Sequence, residues 1–85
     1  MIKLERIKEQ EGFQVLRWFE GGGIIASLVK GDFPEEIELR ISGRGFNSFI
    51  VRGSKEIALK ESDKGMIKRI NRAIDTKKLF EKSAI

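Results

Sequence analysis

Apolar residues change their spacing once along this chain, and the change divides it into a β region and a helical region. From residue 13 to residue 60 they form short runs of β-branched and aromatic type: FQVLRWFE at 13 to 20, IIASLVK at 24 to 30, EEIELRIS at 35 to 42, FNSFIVR at 46 to 52 and EIALK at 56 to 60. Gly12, Gly21-Gly22-Gly23, Gly31 to Pro34, Gly43-Arg44-Gly45 and Gly53-Ser54-Lys55 separate the runs and read as turns. In the third run Ile37, Leu39 and Ile41 alternate with Glu36, Glu38 and Arg40, which predicts a strand with one buried and one solvated face. The first two runs are apolar on both faces, so either the sheet is covered on both sides there or a second subunit covers it. Residues 2 to 8 fit a strand or a helical turn; the strand reading is preferred and adds a sixth strand.

From Ser62 the period becomes helical. Met66, Ile67, Ile70, Ala73 and Ile74 recur at three and four residues, while Lys64, Lys68, Arg69 and Arg72 fill the other side. Ser62 or Asp63 caps the first turn, and Asp63 suits the positive end of the helix dipole. Leu79 and Phe80 are out of phase with the stripe, which predicts a break near Asp75 or a shift of register onto a neighbour. The expected fold is α+β: an antiparallel β-meander of five or six strands within about residues 1 to 60, then a C-terminal amphipathic helix over about 62 to 82, in one domain spanning 1 to 85.

Composition removes chemistry more than it adds any. The 85 residues include no Cys and no His, which excludes a thiolate nucleophile, an imidazole base, a thiol-imidazole zinc site and a disulfide framework. Asp32, Glu35, Glu36 and Glu38 lie close enough in sequence to gather a hard metal, but Glu36 and Glu38 occupy what reads as a solvated strand face. No Gly-Lys-Ser/Thr follows the triple glycine, so a phosphate loop is excluded. The expectation is a non-enzyme without cofactor or metal. No apolar run is long enough to span a membrane, and the N-terminus has no signal-peptide hydrophobic region. An intracellular protein is expected, in the cytoplasm or on the nucleoid, with no membrane partner. The small core makes a homodimer an option, because association adds buried surface that a short chain lacks.

Charge then narrows the choice of partner. The formal net charge is +4, and it is unevenly placed: residues 52 to 85 hold ten Lys and Arg against Glu56, Glu61, Asp63, Asp75 and Glu81. Clustered cations favour a phosphate backbone, since each neutralised phosphate releases counterions; the alternative is a helix with an ordinary solvated face. Single strands bind sheets where aromatic rings stack beside cations. The candidates are Arg40, Arg44, Arg52 and Lys55 for phosphates, Lys30 and Arg17 further along the sheet, and Trp18 and Phe46 for stacking, with the core as their alternative. Lys68, Arg69 and Arg72 form an alternative phosphate face on the helix. Phe13, Phe19 and Phe80 are assigned to the core, and so is Phe49. The expected function is non-catalytic nucleic-acid binding, single-stranded DNA or RNA favoured, with little sequence preference. The competing expectation is a small inhibitor or adaptor that docks an acidic protein.

The segment EIELRISGRGFNSFIVRGSKEIALKESDKGMIKRI resembles the positive-coactivator and Whirly group of single-stranded-DNA-binding proteins. The matching features are the apolar-x-apolar-Arg strand Ile37 to Arg40, the basic Gly-containing turn Arg52-Gly53-Ser54-Lys55, the short strand Ile57-Ala58-Leu59 and the helix from Ser62. The resemblance implies a curved antiparallel sheet, a helix packed against a second subunit and a strand-lined groove for unpaired DNA. From Ile25-Ala26-Ser27 onward the chain is also similar to the small, β-rich, nucleic-acid-binding SpoVG family.

Overall fold

The computed structural model describes residues 2 to 83. In chain order it contains β1 (Glu5–Arg6), a 3-10 turn (Lys8–Gln10), β2 (Val15–Gly21), β3 (Ile24–Lys30), β4 (Glu36–Gly43), β5 (Phe49–Ser54), α1 (Lys55–Lys60) and α2 (Asp63–Ser83). The five strands form one antiparallel sheet in sequential order, and α2 closes one side of it. The expected α+β meander with its C-terminal helix is the observed architecture.

Local chemistry explains most of the junctions. Gly22 and Gly23 both have positive φ, 54° and 80°, and join β2 to β3 as a two-residue loop of the primed type that matches strand twist. The N-terminal segment runs so close over Gly21 that a Cβ there would collide with the Lys3 carbonyl. Ser62 caps α2: its hydroxyl accepts from the Gly65 N–H at 3.0 Å and its carbonyl from the Met66 N–H at 2.9 Å.

Three expectations are corrected. Residues 56 to 60 are helical rather than a strand, because Ser54 accepts a hydrogen bond from the Ile57 N–H and caps α1, with Glu56 in its first turn and Lys60 in its last. Gly53-Ser54-Lys55 is therefore a strand-to-helix junction, and the fifth strand is supplied by Glu5–Arg6, which pairs with Phe19 and Glu20. The break near Asp75 is absent: α2 continues to Ser83, which carries Leu79 and Phe80 outward. Finally, Phe13 and Phe80 are 81% and 70% exposed. Phe19, Leu28, Ile41, Met66, Ile70 and Ile74 already fill the interior.

The core lies between α2 and one face of the sheet. Cross-strand rows Phe19–Ala26–Ile41–Phe49 and Leu28–Leu39 supply the sheet side, and Met66, Ile70 and Ile74 supply the helix side. Asn71, buried on the same helix, acts as a substitute strand: its Oδ1 accepts from the Ile2 N–H at 3.0 Å, while its Nδ2 donates to the Ile2 and Ile67 carbonyls, each at 3.1 Å. This satisfies backbone groups that would otherwise be stranded beside the core. Among the described residues no helix is long and apolar enough to cross a membrane.

Candidate functional site

Strand alternation sends the candidate cations to different places. Arg40 and Arg52 stand on the open face of the sheet, in the rows Trp18–Ser27–Arg40–Ile50 and Val29–Glu38–Arg52. Both turn toward Glu38. Arg40 donates to its Oε1 through Nε at 3.2 Å and through Nη2 at 3.0 Å, and Arg52 Nε lies 3.5 Å from its Oε2 and 3.4 Å from Glu36. Glu38 is 5% exposed, so the reading of a fully solvated carboxylate there is corrected: the two guanidinium groups close over it. With Glu5 and Glu20 paired across the same face, carboxylates match or exceed cations on the open sheet. Arg40 and Arg52 therefore share this face with carboxylates that take up part of their charge.

Arg17 leaves that face altogether. Simple alternation from Phe19 places it opposite Leu28, on the helix side, where Nη2 donates to the Leu59 carbonyl at 3.2 Å and Nη1 lies 3.6 Å from Asp63, and the register shift that follows turns Val15 to the open face instead. Asp63 also receives Arg6, whose guanidinium forms a two-point contact with Glu11 at 2.5 and 2.9 Å. Hydrogen bonding from Arg6 holds the Glu11 carboxyl below its ordinary pKa, against the opposing effect of desolvation, and the same contact raises the arginine. These charges clamp the strand edge to the start of α2. Lys30 lies 4.0 Å above the Phe13 ring, in a small concavity that also holds Asp32, Glu36 and Lys55. Arg44 is exposed at the β4–β5 turn.

Of the stacking candidates, Phe46 meets cations from α2 and Trp18 shares the open face with Arg40. Phe46 packs edge-on against Phe49 with centroids 5.8 Å apart, and both rings lie against the core. Lys78 and Lys77 cover them from α2, and the Glu81 carboxylate accepts from the Asn47 N–H at 2.9 Å, which holds the β4–β5 loop to the helix end. Trp18 stays on the open face, but its indole N–H is buried without a hydrogen-bond partner. Trp18 and Arg40 line one concavity on the open face, whereas Phe46 packs against the core.

The helix is different. Lys64, Lys68 and Arg72 are exposed at four-residue intervals on the side of α2 opposite Met66, Ile70 and Ile74, and no ion pair involves them among the described residues. Arg69 flanks this stripe and reaches Glu61 at 3.2 Å. Lys64 was not among the sequence candidates, although its spacing of four from Lys68 was the available signal. Successive members rise about 6 Å along the axis, comparable with the spacing of neighbouring phosphates on a strand. Among the described residues no group of three His, Cys, Asp or Glu side chains is placed to hold a metal ion. No family model, curated protein or solved structure matches this chain.

Proposed function

We propose that the protein is a non-catalytic nucleic-acid-binding module that docks the phosphate backbone on the outer face of α2. The observation that carries this reading is the stripe Lys64, Lys68 and Arg72: it is exposed, evenly spaced and unpaired among the described residues, whereas Arg17, Arg40 and Arg52 are held by carboxylates of the same chain. Lys64 sits in the first turn, where the helix dipole disfavours a cation, and a phosphate bound beside it offsets that cost. No aromatic ring interleaves with the stripe in the sequence, so contacts are to backbone rather than to bases and the binding tolerates sequence.

The test is a fluorescence-anisotropy titration of labelled single-stranded and duplex oligonucleotides across a salt series. Engagement of three cations gives a log–log salt slope of about −2 for single strands and somewhat steeper for duplex. The triple substitution Lys64→Ala, Lys68→Ala and Arg72→Ala flattens that slope, and the pair Arg40→Ala with Arg52→Ala leaves it in place. Absence of binding to either form at low salt overturns the reading and leaves an acidic protein as the ligand to seek.

A further inference from the structure

Strand β5 ends the sheet, and five of its six residues are exposed, including Ile50 and Val51 at 47% and 39%. Which of its backbone groups point outward follows from register. The Lys55 N–H donates to the Glu35 carbonyl, and these two continue the β4–β5 pairing in which Glu36 meets Ser54. Hydrogen-bonded pairs alternate along an antiparallel ladder, so Phe49, Val51 and Gly53 bond inward to β4, and Ile50, Arg52 and Ser54 turn their N–H and C=O groups away from the sheet. A regular, apolar, unpaired edge of this kind is a template for another strand.

We propose that two copies of this chain pair antiparallel through β5, about a twofold axis passing beside Val51. This goes beyond the nucleic-acid reading and does not depend on it. Charge selects the register. Centring the axis on Arg52 would set two guanidinium groups directly opposite on one face, a destabilising pair. Centring it on Val51 sets Arg52 opposite the other copy's Ile50 and forms the outward hydrogen bonds of both residues. The same register puts each Phe49 beside the other copy's Gly53, where a Cβ would meet only Ile37 at 3.7 Å and space is open for a ring.

The helix layer supplies the second argument for a copy rather than a foreign strand. Ile57 on α1 is 61% exposed at one end of β5. Phe80, 70% exposed, is eleven residues beyond Arg69 and so lies on the same side of α2. That side faces β5, because Arg69 lines a cleft with Val51, Arg52 and Ile57. The last turns of α2 are held at the opposite end of β5 through Asn47. An axis at Val51 carries the α1 of one copy to the α2 end of the other, so these two exposed apolar groups cover each other at both ends of the interface. Such self-complementarity is what a twofold contact requires.

Sedimentation equilibrium of the full chain tests this, the expected mass being twice the 9.7 kDa protomer. Val51→Lys places like charges across the axis and weakens association by about tenfold or more, with the far-ultraviolet circular dichroism of the sheet unchanged. Because the chain has no Cys, Val51→Cys on mild oxidation gives a disulfide-linked dimer, whereas Arg52→Cys crosslinks far less. A protein that sediments as a monomer at high concentration overturns the proposal. So does a dimer that Val51→Lys leaves intact, or one that crosslinks preferentially at position 52.

Discussion

The two faces of the sheet start from the same alternation and end in opposite states. On one face Phe19, Leu28, Leu39 and Ile41 meet the apolar side of α2 and exclude water. On the other, Trp18, Ile25 and Ile50 share the surface with carboxylates that take up Arg40 and Arg52. Basic composition therefore does not make every face equally basic. A cation contributes to an external field only where strand register and helix phase leave it without an internal partner, and here that condition is met along α2.

Substitutions on the two faces break this comparison most sharply. Ile70→Ala, at 0% exposure under α2, leaves a cavity and costs about 2–5 kcal/mol in urea unfolding. Ile25→Ala, 41% exposed on the open face, costs within about 0.5 kcal/mol. Equal costs would mean that the open face is covered in solution. Next in size is Asn71→Leu, which abolishes three hydrogen bonds and leaves the Ile2 amide group beside the core. Thermal unfolding then registers a loss of about 1–3 kcal/mol.

Glu38→Gln has a smaller effect on stability, about 1 kcal/mol, and a more informative effect on charge. It releases Arg40 and Arg52 from their shared carboxylate, so oligonucleotide affinity at low salt rises if internal pairing is what silences the open face. The smallest effect is acid-dependent. Glu11 is held below its ordinary pKa by Arg6, so this contact contributes fully above the unfolded-state pKa, and its contribution is lost as pH falls through the folded value. Glu11→Gln lowers stability by that contribution at neutral and alkaline pH and flattens the acid-side slope, so that variant and parent converge at low pH.

Much of the fold was legible because its signals are local. β3 begins and ends at the residues that the run IIASLVK marks, and β4 is displaced by one residue from its predicted span. The segment 56 to 60 was misread because Ile57 and Leu59 satisfy a period of two, while the competing signal, Ser54 as a cap followed by Glu56 and later Lys60, is spread over the junction. Phe13 and Phe80 were misplaced because residue type does not reveal when a small interior is already full. The site was less legible than the fold. Arg17 meets Asp63, forty-six positions away, through a tertiary contact that no local pattern marks, whereas the four-residue spacing of Lys64, Lys68 and Arg72 needed no tertiary information.

The most direct test of the account follows backbone and indole resonances of isotope-labelled protein while an unlabelled oligonucleotide is added. Docking on α2 shifts the amides from Lys64 to Arg72 in a salt-sensitive way and leaves Ser27, Arg40 and the Trp18 indole unmoved. Perturbations concentrated at Trp18, Ser27 and Arg40, with α2 silent, would contradict it and return the binding surface to the open sheet.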